Sequence, residues 1–321
     1  VVAVGDAPPP PLGVAAVAAA QISETLSGPG ILQLVLFGAF VLVFISLARV
    51  LFSLEYLAAD ARGGRPLRLE PVGTPALAVS YGGYCFAHSL IFAGVLDCVS
   101  LDLEDQVVDM VIWGGLGAAA LVFSQFTANK LLLRSLENGR LLRENNLAVA
   151  IVDLGHSVSA GLVIQATVSG DAAGYADGIV GFLVYLLASQ ALLLVFSAAY
   201  QALTRYNDIA LFAEGNVAAA LGHCMSQVAL GYMLASPVFK AASLVGFFMQ
   251  AGLSGALLLL LRVFVDRLLL PTQALDVEIE RDVNWGAALI EGCFALGTAV
   301  FIDALLPEVG FPVCNQFMLF L

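Results

Sequence analysis

Glu144-Asn145-Asn146-Leu147-Ala148-Val149-Ala150-Ile151 is the stretch from which the fold can be read. An acid, one residue, an asparagine and a run of small apolar residues mark a helix start. The asparagine side chain can accept from the free N–H groups of the first turn, and the acid suits the positive end of the helix dipole. The pattern returns as Glu214-Gly215-Asn216-Val217-Ala218-Ala219-Ala220-Leu221 and as Asp282-Val283-Asn284-Trp285-Gly286-Ala287-Ala288-Leu289. A weaker copy is Thr74-Pro75-Ala76-Leu77-Ala78-Val79. The anchors Thr74, Asn146, Asn216 and Asn284 stand 72, 70 and 68 residues apart, and self-similarity at a near-constant period signals a repeat architecture. Upstream of each anchor lies one more apolar segment, marked by Phe37-Gly38, Trp113-Gly114, Val180-Gly181-Phe182 and Val245-Gly246-Phe247. The chain reads as four helical hairpins.

The composition around this pattern is that of a membrane protein. Of 321 residues 60% are hydrophobic and 12% charged, where a soluble domain carries about 25% charged residues. Mean hydropathy is +0.94. These values exclude a water-soluble enzyme, a disordered chain and a disulfide-stapled module. The formal charge of −12 argues against a nucleic-acid partner, which needs a basic footprint. Eight stretches reach the roughly 20 apolar residues that cross a bilayer core. They are Ile31–Phe52, Pro75–Leu96, Val107–Phe126, Leu147–Val168, Gly178–Leu203, Asn216–Ser236, Ala242–Phe264 and Val283–Leu305. The apolar runs are continuous rather than alternating, so they are helices and not barrel strands.

The expected fold is therefore all-α: a polytopic membrane protein with eight transmembrane helices in four parallel hairpins, 31–96, 107–168, 178–236 and 242–305. Two helices per repeat bring every repeat into the bilayer in the same orientation, related by an axis along the membrane normal. The even helices are rich in Ala, Gly and Ser and read as an inner bundle. The odd ones, rich in Leu, Phe and Val, read as a lipid-facing shell. A Pro/Ala-rich segment, 1–30, precedes this domain and a tail, 306–321, follows it.

Charge sets the expected topology. Of 13 basic residues, only Lys240 falls after an even helix. Arg49, Arg62, Arg65 and Arg68 follow the first helix, and Lys130, Arg134, Arg140 and Arg143 the third. Arg205 follows the fifth, and Arg262, Arg267 and Arg281 the seventh. Basic connections stay on the side where insertion begins, so both termini are expected to be exoplasmic, in a bacterial inner membrane or a plastid or mitochondrial membrane. A start at Val1 without methionine fits either a removed targeting segment or a piece of a longer chain. Cys98 and Cys314 fall on the exoplasmic side, where free thiols are expected and a bridge remains open.

The acid–x–Asn–x–Ala–x–Ala pattern opening the second helix of each hairpin resembles the YjfL-like membrane family, a domain of unknown function (number 350). It is clearest at Leu141–Gly161, Leu211–Gly231 and Glu280–Gly297. It departs at Gly286, where Ala is expected, and at Thr74-Pro75, where Asn is expected. The family's glycine-containing stretch is matched by Leu154-Gly155 and Gly292, and loosely by Gly222. Members typically hold two such hairpins, so the resemblance implies a tandem doubling over about Ile31 to Leu305. It supplies a fold and no catalytic residues.

Seven residues past each anchor stands a polar or ionisable side chain: Tyr81, Asp153, His223 and Glu291. At 1.5 Å per residue they lie roughly 10 Å into the helix. The same face then carries His156 and Ser157, Ser226 and Gln227, and in the first repeat Tyr84 and Cys85. A charge near a helix centre costs about 2.5–3.5 kcal/mol to insert, so each needs a partner or water. Two readings remain. One is a polar interior passing a small ion or solute. The other is a set of interhelical bonds in a non-catalytic subunit of a larger membrane complex. The anchors Asn146, Asn216 and Asn284 read first as caps. No nucleophile–base pair, P-loop or metal-ligand spacing is visible, so no enzyme activity, cofactor or metal is expected. His88, His156 and His223 read as core histidines. Arg49, Lys130 and Arg262 are expected to snorkel to the helix ends, and Asp303 to meet water. The expected partners are the lipid bilayer and further membrane protein, by self-association or in a complex.

Overall fold

The computed structural model describes residues 35, 38–52, 73–97, 103–133, 136–169, 174–204, 206–240, 243–265 and 275–305. The expected segments 1–30 and 306–321 lie outside these, as do Cys98, Cys314, Arg62, Arg65, Arg68, Arg134, Arg205 and Arg267. The chain divides into two compact units, Val1–Phe44 and Ile45–Leu321. The boundary falls within an apolar helix, α1 (Gly38–Phe52); on its first-unit part the Phe40 and Phe44 rings lie 4.9 Å apart, one turn from each other. The second unit contains the rest: α2 (Pro75–Asp97), α3 (Leu103–Thr127), α4 (Asn138–Arg143), α5 (Leu147–Val168), α6 (Tyr175–Leu203), α7 (Asp208–Glu214), α8 (Val217–Phe239), α9 (Leu244–Phe264), α10 (Leu275–Glu280) and α11 (Trp285–Leu305). A wide π-type turn, Ala128–Leu132, prolongs α3. Among the described residues seven helices are long and apolar enough to cross a membrane: α2, α3, α5, α6, α8, α9 and α11. The protein is an integral membrane protein. The eighth expected span, Ile31–Phe52, is described only as the shorter α1.

The inner helices form a row. α2 packs along α5, α5 along α8, and α8 along α11. Among the described residues the end helices α2 and α11 are not a packed pair. The outer helices sit over the grooves of the row: α3 over α2 and α5, α6 over α5 and α8, α9 over α8 and α11. In lipid, close packing between helices replaces the hydrophobic drive of water, and small side chains permit it. The contacts repeat with the repeats. A Cβ on Gly83 would lie 2.8 Å from the Leu154 Cα, and one on Gly155 2.7 Å from the Cys224 Cα. At the third interface the glycine changes sides, and a Cβ on Gly292 would meet the Met225 Cβ at 2.7 Å. In each case the ninth residue after one anchor meets the eighth after the next. Higher up, Gly161 takes Ala87 and Gly231 takes Ser159, with Cβ-to-Cα distances of 2.8 and 2.6 Å.

The anchors join these layers. The residue before each Asn is left-handed, with φ of 63° at Asn145, 87° at Gly215 and 49° at Val283. This reverses the chain after each short helix. The N–H groups of Asn146 and Asn216 return to the carbonyls of Leu141 and Leu211, each at 2.9 Å, a Schellman closure. Asn and Gly tolerate that conformation, whereas a β-branched residue is strained in it. Val283 is 45% exposed, so little packing would be lost by changing it. Val283→Asn, copying Asn145, should stabilise the protein by about 1 kcal/mol, read as a raised melting temperature in detergent micelles.

Candidate functional site

Each anchor side chain does two things. Asn146 Oδ1 accepts from the Val149 N–H at 3.1 Å, while its Nδ2 donates to the carbonyls of Phe212 and Ala213, at 2.9 and 3.0 Å. Asn216 accepts from the Ala219 N–H at 3.0 Å and donates to the Ile279 carbonyl at 2.8 Å. Thr74 manages both with one hydroxyl, accepting from the Leu77 N–H at 3.2 Å and donating to the Leu142 carbonyl at 2.9 Å. Each of these anchors thus caps its own inner helix and ties down the short helix of the next repeat. The fourth anchor differs. Asn284 accepts from the Ala287 N–H at 3.2 Å, and its Nδ2 turns back to Glu278 Oε2 at 2.8 Å.

The four polar-row positions meet different partners. Tyr81 is partly buried, its ring 5.3 Å from that of Phe52. Asp153 is buried and accepts from the Ser80 hydroxyl of α2. His223 is buried between the rings of Tyr200 and Phe212, at 5.7 and 5.4 Å. Glu291 is buried against Arg262, with Nη1 to Oε1 at 2.5 Å. His156 Nε2 lies 3.2 Å from the Ser124 carbonyl, which makes Nε2 the protonated nitrogen. Ser157 accepts from Gln125 Nε2, and Gln227 Nε2 donates to Ser197. Inner and outer helices are thus pinned at one repeat position, with donor and acceptor exchanged. Ser226 lines a small cavity with Arg262 and Glu291; its size admits about one water.

The densest polar centre surrounds Arg262. Arg262 is only 6% exposed, which corrects the expectation that it snorkels. Nη1 donates to Glu291 and, at 2.5 Å, to the Tyr200 hydroxyl; Nη2 donates to Asp276 at 2.9 Å and to Tyr206 at 3.4 Å. The cation also lies 4.7 Å from the centre of the Tyr200 ring. Tyr200 in turn donates to Glu291 at 3.0 Å. The reason is local: α10 folds back so that Asp276 closes the end of α9 at which the side chain would otherwise escape. Beside it, Thr204 donates to Asp208 at 2.7 Å. Burial pushes the Asp208 carboxyl up to about 6, against the pull of Thr204 and Arg262, and raises the Tyr206 phenol above its usual range.

Asp303 also departs from expectation. It pairs with Lys240 at 2.6 Å and accepts from Tyr232 at 3.0 Å and from Ser236. Sequence reading missed Tyr200 and Ser80, whose partners lie 91 and 73 residues away, and Asp276, 14 residues after Arg262. One signal was available for the main pair: an arginine inside one expected span and a glutamate inside the next. Among the described residues no three of His, Cys, Asp and Glu converge as a metal shell requires. Several buried atoms, namely both ring nitrogens of His223, Nδ1 of His156, Oε1 of Gln227 and Oε2 of Glu291, have no hydrogen-bond partner among the described residues. The arrangement can lock helices together and can hold a proton at Glu291 or His223.

A family model described as Domain of Unknown Function (DUF350) matches the chain over residues 68–168 and 174–306. No curated protein and no solved structure matches the chain.

Proposed function

Because the chain belongs to the DUF350 family, matched twice in tandem and bringing no assigned activity, we propose its function from its own geometry: it is a non-catalytic scaffold of a membrane assembly. It crosses the bilayer eight times as four parallel hairpins, with both termini exoplasmic, in a bacterial inner membrane or an organelle membrane. The observation that carries this reading is how the buried polar groups are used. Asp153, Glu291, Arg262, Gln125 and Gln227 each bond to a side chain on a neighbouring helix, and the space beside Arg262 and Glu291 admits about one water. Interhelical polar bonds of this kind contribute about 0.6 kcal/mol each and fix which helices meet.

A second reading, passage of protons, draws on one observation: His223 has both ring nitrogens, and Glu291 one oxygen, without a partner among the described residues. The two readings separate in sealed liposomes carrying an internal pH dye. A scaffold leaves proton flux at the level of protein-free liposomes, and Glu291→Gln then lowers only the resistance of the protein to unfolding. Flux above that level, abolished by Glu291→Gln in folded protein, would establish passage instead. The orientation has its own check. A single cysteine at Gly63 should be shielded from an impermeant exoplasmic thiol reagent, and one at Asp171 should react. The reverse labelling would invert the topology.

A further inference from the structure

The inner row is built by one rule, and the rule stops at both ends with its contact positions unfilled. Counted from the anchors, position nine of one inner helix meets position eight of the next, thirteen meets fifteen, and twenty meets nineteen. The first contact is Gly83 with Leu154, Gly155 with Cys224 and Met225 with Gly292. The second is Ala87 with Gly161 and Ser159 with Gly231, and the third is Gly94 with Gln165. On α11 the forward positions nine, thirteen and twenty are Cys293, Gly297 and Ala304, all exposed. On α2 the backward positions eight, fifteen and nineteen are Gly82, Ser89 and Ala93, also all exposed. A Cβ on Gly82 or on Gly297 would meet nothing within 4 Å.

Two further features break off at the same places. Every outer helix from α3 onward covers the groove between two inner helices, whereas α1 reaches Tyr81 and Tyr84 of α2 through Phe52, with no inner helix before α2 among the described residues. Every anchor but the last donates to the following repeat, whereas Asn284 turns back to Glu278. The residues at the vacant positions are small, as is at least one member of every occupied pair.

We propose that a second copy of this chain continues the row, seating its α2 on the exposed face of α11 and presenting its own α11 to the next copy. The pairs in that contact are Cys293 with Gly82, Gly297 with Ser89 and Ala304 with Ala93. The interface joins unlike faces, so it closes into a ring or propagates as a chain of copies. The proposal rests on the scaffold reading and names its partner.

Cross-linking in native membranes tests it. Cys85, Cys98, Cys224 and Cys314 are replaced by alanine, Cys293 is kept, and Gly82→Cys is added. At the equivalent internal contacts a Cβ built on the glycine lies 2.7–2.9 Å from the facing Cβ, closer than the 3.5–4.5 Å a disulfide spans, so a slight parting of the helices brings the two thiols to bonding distance. Oxidation with copper phenanthroline should give reducible dimers and higher species on non-reducing gels. These should be lost when Cys293 is also made alanine, or when Gly82 is retained. Monomer alone, from protein whose two thiols both react with a membrane-permeant maleimide, would overturn the proposal. So would equal cross-linking without Gly82→Cys, which would mean α11 meeting α11. Monomer without liposome flux would end self-assembly and leave the scaffold standing; flux, with or without the cross-link, would end the scaffold reading itself.

Discussion

Replacing Arg262 by methionine should cost about 3–5 kcal/mol of stability, the range for breaking a buried ion pair from one side. The substitution leaves Glu291 without its cation at the centre of the α6–α9–α11 contact and removes the tie from α9 to Asp276. Glu291→Leu alone should cost a similar amount by stranding the guanidinium. The double change Arg262→Met with Glu291→Leu should recover more than half of either loss, because the charge-burial cost disappears with the charges. Denaturation in mixed detergent micelles measures all three. Additive losses in the double variant would show that the two residues act separately and that the pair does not hold the end of the row.

Gly155→Met should be the most damaging change at a single apolar contact. The new side chain would begin 2.7 Å from the Cys224 Cα, so a backbone, not a flexible tip, would have to yield. Overpacking typically costs 1–3 kcal/mol, and a backbone obstacle puts this case at about the upper end. The protein's own third interface supplies the remedy, since Met225 there faces Gly292. Adding Cys224→Gly to Gly155→Met recreates that pair between α5 and α8, and most of the lost stability should return. No recovery would mean that the interfaces are not interchangeable and that the repeat rule fails at this contact.

The parts of the fold that are local in sequence were legible. Runs of about twenty apolar residues mark the spans, and Asn146, Asn216 and Asn284 mark inner-helix starts because capping acts within three residues. The short helices α4, α7 and α10 escaped, being only six or seven residues long and carrying little periodic signal. Closure was also hidden: a row and a ring use the same small residues, and they differ only in whether α2 meets α11. The polar row was visible as a list of positions, but its chemistry was not. Asp153 and Glu291 hold equivalent places, yet one takes a serine on α2 and the other an arginine on α9. Arg262 was misplaced because a span end ordinarily offers water, and nothing near it in sequence announces that Asp276 folds back to close it.

The anchor side chains impose a timetable on biosynthesis. When Asn146 leaves the ribosome, its amide has no acceptors, since Phe212 and Ala213 are still 66 and 67 residues from being made. At about 5–20 residues per second that interval is roughly 3–13 s. During it the second hairpin has its helix cap but not its fastening. Thr74 waits for Leu142 and Asn216 for Ile279 in the same way, so each new hairpin completes the one before it and the row hardens from its N-terminal end. Asn284 is fastened differently: its amide donates to Glu278, made six residues before it, so the fourth anchor is tied as soon as it emerges.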